Sequence, residues 1–348
     1  MLTEMEQKTD LKSLTLPELQ QVLTDMGEKA FRAKQLYQWM HEKLAGGYEE
    51  MSNLSVALKE KCQEKFWYCS LGIVQVQESK LDGTRKYLFA LRDGNVVESV
   101  WMKYKHGNSV CISSQVGCRM GCRFCMTGRQ GFEGNLTAHD ILNQIYALPQ
   151  RERLTNVVFM GQGEPMDNLD AVLQATSLLT SDDGWAWSPK RITVSTVGVR
   201  KGLERFLEES DCHLAISLHN PFPAERAEMM PAERAYSLTD CIKKLKQYDW
   251  SHQRRLSFEY IVFEGLNDTE RHARELVRLL GDMACRVNLI RFHTIPESPF
   301  KGASEEKMVG LRDYLTAHGV TTTIRASRGE DIMAACGLLN TATKKNQE

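Results

Sequence analysis

Cys118, Cys122 and Cys125 stand in the run Cys118-Arg-Met-Gly-Cys122-Arg-Phe-Cys125, a C-x3-C-x2-C spacing. Three thiolates so close in sequence can hold three irons of a [4Fe-4S] cube, and no fourth thiolate lies nearby. An iron left without a protein ligand implies chemistry rather than mere structure. A structural zinc site wants four ligands, commonly as two separated C-x2-C pairs, and no second pair is present. Ten cysteines in 348 residues are too sparse for a disulfide framework. Cys62, Cys69, Cys212, Cys241 and Cys285 read as small buried hydrophobes, the usual fate of a free cysteine. Cys336 has a different setting. It follows the basic, polar stretch Arg325-Ala-Ser-Arg328-Gly329, unlike a core element. A thiol on such a segment is a candidate nucleophile.

These residues need a frame. Up to about Phe66 the pattern is helical, with segments 16–26, 31–44 and 54–66. Pro17 suits a first turn, and Leu19, Val22 and Leu23 fall at helical spacing. Segments 72–77, 87–91 and 96–102 read as strands, with Asp82-Gly83 and Asp93-Gly94 as hairpin turns. From Val110 onward strands and helices alternate. The strands are expected over 110–114, 157–161, 191–196, 213–218, 256–263 and 287–292, with 321–325 as a late addition. Helices are expected over 138–148, 169–179, 201–208, 238–248, 269–280 and 305–317. Thr137, Asp167, Ser237 and Ser304 sit where N-caps belong. Six βα units imply a parallel sheet and, being fewer than eight, a partial (β/α)6 TIM-like barrel of the α/β class with a small helical N-terminal domain. The expected divisions are 1–66 helical, 67–106 β-rich, 107–320 barrel and 321–348 a C-terminal segment.

Chemistry in such folds collects at the carboxyl ends of strands. The cysteine loop follows the first barrel strand, and Gly161-Gln-Gly163-Glu164-Pro165 follows the second. Its glycines allow close backbone approach, and Glu164 could bind an ammonium. Ser195, then Ser217-Leu218-His219, then His293 end later strands. As isolated residues, the serines read equally well as local caps and a lone histidine as structural.

The hydrophobic fraction is 42%, without a run of transmembrane length, so a soluble protein with no membrane partner is expected. Free thiols and an opening segment without the pattern of a signal peptide point to the cytoplasm. A net charge of -1 gives no global nucleic-acid footprint. Local candidates to meet a polyanion are Lys103, Lys105, Arg119, Arg123, Arg129, Arg254, Arg255, Arg325 and Arg328.

The cysteine spacing, with Phe124 before the last cysteine, resembles the signature of radical S-adenosylmethionine (SAM) enzymes, in which the open iron chelates the amino-acid part of SAM. The runs Cys111-Ile-Ser-Ser-Gln-Val-Gly-Cys118, Gly131-Phe-Glu-Gly-Asn135-Leu136-Thr137, Phe159-Met-Gly-Gln-Gly-Glu-Pro165, Ser217-Leu-His219 and Arg328-Gly-Glu-Asp-Ile-Met-Ala-Ala-Cys336-Gly337 resemble the RlmN-type RNA methyltransferases over nearly the whole chain. The resemblance implies methylation of adenosine C2 in 23S rRNA and next to the anticodon in some tRNAs. It implies a [4Fe-4S] cluster on Cys118, Cys122 and Cys125, and two SAM molecules per turnover. Gly163, Glu164, Ser195, Ser217, Leu218, His219 and His293 would contact SAM, although the position of His293 is often Asn in the family. Cys336 would accept a methyl group, Glu98 would act as base, and Cys111 would release the RNA by forming a disulfide with Cys336. An electron donor such as flavodoxin is implied. The sister Cfr-type enzymes share the cysteines and methylate C8, so that carbon stays open. A metal-stabilised RNA-binding protein without catalysis is the reading from another class.

Overall fold

The computed structural model describes residues 8–68, 71–250, 254–335 and 338–339. Cys69 and Cys336 lie outside the described residues, as does the polar tail from Lys344 to Glu348. Strand β1 (Thr9–Asp10) precedes three helices, α1 (Leu16–Asp25), α2 (Phe31–His41) and α3 (Val56–Lys65). Pro17 occupies the first turn of α1, and Thr15 and Glu18 form a reciprocal capping box. Strand β2 (Phe66–Trp67) returns to pair in parallel with β1 and ties the two ends of this module together. Leu19, Leu23, Leu36, Met40, Leu58 and Cys62 are buried within it.

A meander follows: β3 (Gly72–Glu78), β4 (Arg85–Ala90), β5 (Val96–Tyr104) and β6 (Gly107–Cys111). The chain continues through β7 (Gln115–Gly117), α4 (Met126–Gln130), β8 (Phe132–Asn135), α5 (Ala138–Tyr146), β9 (Leu154–Phe159) and α6 (Leu169–Thr180). Then come β10 (Ile192–Thr196), α7 (Arg200–Glu209), β11 (His213–Ser217), α8 (Pro223–Met229), α9 (Leu238–Leu245) and β12 (Leu256–Val262). Last are α10 (Glu270–Leu280), β13 (Cys285–Arg291), α11 (Glu305–Ala317) and β14 (Thr321–Ile324). Among the described residues one ten-stranded sheet runs in the order β14-β13-β12-β11-β10-β9-β6-β5-β4-β3. From β6 through β14 neighbouring strands of this sheet are parallel, which is the partial TIM-like barrel. β3 to β6 are antiparallel and extend the same sheet.

Two local expectations change. The first barrel strand ends at Cys111 rather than residue 114. Ser113 instead donates its N–H to Gln144 Oε1 (2.8 Å) and its hydroxyl to the Glu98 carbonyl (2.7 Å). The chain then leaves the sheet for the separate β7–β8 pair. Asp167 does not cap α6, because it closes the turn Pro165–Asp167 and Asn168 takes the cap position. Thr137, Ser237 and Ser304 do accept the expected backbone N–H bonds. The late segment near residue 321 is a strand in parallel register with β13.

The helical module lies against the barrel helices. His41 Nδ1 and Tyr146 Oη are hydrogen-bonded at 2.7 Å, and Gln174 Nε2 donates to the Ser13 carbonyl at 2.7 Å. Among the described residues no helix is long and apolar enough to cross a membrane.

Candidate active site

The β7–β8 pair frames the cysteine loop, and Cys118 N–H donates to the Gly131 carbonyl across its base (2.8 Å). Cys125 N–H donates back to the Cys122 carbonyl (3.1 Å), making the loop compact. Cys118, Cys122 and Cys125 all line one cavity, and Cys111, at the end of β6, lines it too. Burial pushes the Cys118 thiol up to about 12 and raises those of Cys122 and Cys125. The three sulfurs therefore stay protonated unless a metal centre compensates their charge. Three soft sulfur donors in one buried loop fit a [4Fe-4S] cluster with one iron open to a small ligand.

The opposite wall is built from strand ends. Gly163 has φ +96°, and a Cβ there would lie 2.5 Å from Gln115 Cβ, so only glycine fits. Gln115 Oε1 accepts the Glu164 N–H (2.9 Å) and fixes the turn. The Glu164 carboxylate is 3% exposed and accepts the N–H groups of Val197 (2.9 Å) and Met166 (3.1 Å). Burial pushes it up to about 7 despite these bonds. It lines the cavity and has acceptor capacity left for an ammonium. Ser195, Ser217, His219 and His293 line the same cavity. His219 stands in the left-handed region (φ 54°), held there by Asn267, whose amide donates to its carbonyl (2.6 Å). Its Nδ1 accepts the Ile261 N–H (3.0 Å), and burial lowers its pKa to about 3. The ring is therefore neutral with the proton on Nε2, which makes it a hydrogen-bond donor. Phe124 packs edge-on against it, with centroids 5.0 Å apart. His293 is bonded through Nε2 to Ser327 Oγ (2.8 Å).

Two of the sequence candidates are not brought into the cavity. The Leu218 side chain is fully buried behind the wall. Glu98 shares a face of β5 with Val100, Met102 and Tyr104, which do line the cavity, but itself lies deeper, 3.8 Å from Lys86 Nζ. Of the basic candidates, Arg325 and Arg328 line the cavity. Arg119, Arg123 and Arg129 are exposed on or beside the cysteine loop. Arg254 is structural: its guanidinium donates to the carbonyls of Phe206, Leu207 and Cys212.

Sequence reasoning missed three polar groups. Arg325 Nη1 lies 3.2 Å from Glu259 Oε2, and Glu259 lines the cavity beside it. Asn267 sits in a loop and carried no signal. Arg226, which the sequence analysis did not single out, lies on α8 and is fully buried. Its Nε donates to the Leu218 carbonyl (2.9 Å) and its Nη2 to those of Val197 (3.0 Å) and Ser217 (2.7 Å). Its Nη1 pairs with Glu233, which also accepts the Leu238 N–H. One side chain thus fixes the backbone beyond Ser195 and around Ser217 and His219. Arg226→Met would leave Glu233 buried without its partner and should cost about 3–5 kcal/mol, read as a lower urea midpoint at unchanged m. Removing both charges together should cost less than the single change.

The sequence profile of the Radical SAM superfamily matches residues 112–277. That of the ribosomal RNA large subunit methyltransferase N-terminal domain matches residues 9–67. A probable dual-specificity RNA methyltransferase RlmN from Bacteroides thetaiotaomicron is 55% identical over 341 residues, 98% of this chain and 99% of that protein. A relative of the same description from Lachnospira eligens is 46% identical, covering 95% of each chain. The crystal structure of a radical SAM methyltransferase from Sphaerobacter thermophilus superposes with a TM-score of 0.91 at 37% identity, covering 96% of this chain and 99% of that one. With identities of this size along nearly its whole length, the chain belongs to the RlmN family of radical SAM methyltransferases and is a SAM-dependent enzyme.

Proposed function

We propose that this enzyme methylates C2 of an adenosine in 23S rRNA, and of the adenosine beside the anticodon in some tRNAs, with two SAM molecules per turnover. One observation carries the reading. Cys111, the cysteine loop, and Ala334, Ala335 and Leu339 on either side of Cys336 in sequence all line one cavity. Two thiols outside a cluster set have no use in ordinary SAM methyl transfer. They fit a route in which the methyl group passes through the protein.

The cluster and SAM together supply the methyl group and the radical that abstracts a hydrogen atom. The chain's own groups do the rest. Glu164 pairs with the SAM ammonium, Ser195 and Ser217 bond its polar groups, and His219 donates from Nε2. Cys336 carries the methyl carbon to C2. The C2 proton passes to a base, the role proposed for Glu98, which the free protein holds behind the Val100 wall. Cys111 thiolate then bonds to Cys336 sulfur as the Cys336 sulfur–carbon bond breaks, and the freed carbon takes a proton to become the methyl group. The odd electron of the adduct would leave through the cluster, and a disulfide remains. A one-electron donor of the flavodoxin kind serves the cluster, and the cytoplasm supplies RNA and reductant alike.

Anaerobically reconstituted protein, given unmodified 23S rRNA fragment, SAM and a reductant, should yield 2-methyladenosine on chromatography. A product of 8-methyladenosine would overturn the carbon assignment. Cys111→Ala should leave RNA covalently attached to the protein, seen as a slow band in a denaturing gel; free methylated RNA would refute its role.

Glu164 gives a pH test. Its pKa is raised to about 7 in the free protein, and a bound ammonium stabilises the ionised form. The bound pKa is therefore below the free one. SAM affinity should be full above about pH 7 and weaken by up to about tenfold per unit as pH falls below it. Equilibrium dialysis should show this step in the native protein and its loss in Glu164→Gln.

A further inference from the structure

The C-terminal segment is fastened to a turn some 250 residues earlier in the chain. Asp331 accepts the Ser79 hydroxyl (2.6 Å) and the Lys80 N–H (2.9 Å) at the turn between β3 and β4. Asp82 of that turn reciprocates: it accepts the Gly329 N–H (3.1 Å) and faces Arg328 Nη1 at 3.7 Å. Hydrogen bonding holds the Asp331 and Asp82 carboxyls below the usual carboxylate range. Gly329 is in the left-handed region (φ 60°), and a Cβ there would approach Ala334 Cβ to 2.8 Å and Thr84 Cγ2 to 3.0 Å. Met333 is also left-handed (φ 51°), and Ala334 N–H closes the loop onto the Gly329 carbonyl (2.8 Å).

This turn directs the chain that follows. Ala334 packs with Val100 and Leu339 beside Cys111, and Ala335 packs with Ile295 and Leu338 beside Met126. The two alanines enter opposite neighbourhoods of the cavity wall immediately before Cys336. Asp331 itself is exposed, and both donors to its carboxylate belong to the turn between β3 and β4. A contact so peripheral to the core, yet so close in sequence to Cys336, suits a role in aiming the segment rather than in holding the fold together.

We propose that the turn between β3 and β4 is a dock for the C-terminal segment, and that Asp331 and Asp82 are positioning residues for methyl transfer through Cys336. The proposal rests on Cys336 being the methyl acceptor. In that step Cys336 sulfur, having lost its proton to solvent, forms a bond to the SAM methyl carbon as the sulfonium S–CH3 bond breaks, and S-adenosylhomocysteine leaves. Such a displacement needs sulfur and carbon aligned at contact distance, and a loosened dock slows it without altering the SAM site.

The test uses full-length, cluster-loaded protein and SAM carrying a labelled methyl group. The native protein, Asp331→Ala and Asp331→Asn are compared for label on the C-terminal peptide by mass spectrometry, for methylated RNA, for SAM affinity by dialysis and for iron content. Asp331→Ala should slow peptide and RNA methylation together by about tenfold or more, with SAM affinity and iron content unchanged. Asp331→Asn, which keeps one oxygen acceptor for the two donors, should fall between. Equal peptide labelling in native protein and Asp331→Ala would overturn the dock. Loss of SAM affinity or iron in Asp331→Ala would also overturn it, by showing a general structural role. Methylated RNA from native protein with no label ever on the peptide would instead remove Cys336 as acceptor, and the dock with it.

Discussion

A guanidinium shut away from water must direct its N–H donors onto protein acceptors, and the Arg226 side chain meets that demand at the ends of two neighbouring strands. Carbonyls past the end of a parallel strand have left the ladder and would ordinarily turn to solvent. Here Val197, Ser217 and Leu218 give theirs to one rigid planar group, so the loops after β10 and β11 are fixed relative to each other. Glu233 neutralises the charge and anchors the start of α9 through Leu238. The same positive charge acts on the cavity side: it adds to burial in keeping His219 neutral, and it opposes burial at Cys122. One residue thus fixes the position of the wall, and it also reinforces the effect of burial at His219 and opposes it at Cys122.

The remaining charges of the cavity are matched in pairs. Arg325 meets Glu259, and Arg328 faces Asp82. Glu164 differs: the bonds of its carboxylate are to backbone N–H groups and to Thr196, all neutral partners. Neutral donors offset only part of the cost of burying a carboxylate, which is why its pKa rises. A site that holds an acidic group in this poised condition favours a cationic ligand over water, since the ligand returns the missing half of an ion pair. The ammonium pairing proposed for Glu164 would draw on this electrostatic condition of the folded protein.

How much of this was legible in the sequence depends on the range of the interaction. The helices and their caps at Thr137, Ser237 and Ser304 rest on local bonds, and local pattern finds them. The cysteine loop and the turn at Gly163 were legible because spacing and glycine encode their geometry directly. The end of the first barrel strand was not, because Gln144, on a helix 31 residues later, draws Ser113 out of the ladder. Asp167 looked like a cap on composition alone, and the tight turn begun by Pro165 moved the cap one residue on. Arg226, Glu233 and Asn267 gave no signal, since a polar residue in a short helix or loop normally faces solvent and only the tertiary fold buries it. Glu98 shows the converse: its side of the strand follows from alternation, while its depth relative to the cavity does not.

The antiparallel strands do more than cap the barrel. A parallel sheet ending at β6 would leave Cys111 on an open edge, exposed to water and to pairing with other chains. β5 covers that edge, with Val100 opposite Cys111 in register, and period-two alternation carries Val100, Met102 and Tyr104 along one face toward the cavity. A slip of one residue in this pairing would turn all three side chains away and replace them with Ser99, Trp101 and Lys103. The opposite side of β5 is itself buried, with Val97, Ser99 and Trp101 covered, so such a slip would also bring the Trp101 ring and the Lys103 charge into the cavity and turn the Glu98 carboxylate into the core on the other face. The register that places Cys111 is thus enforced by packing on both faces of the sheet, at a position where no cofactor-binding residue is needed to hold it.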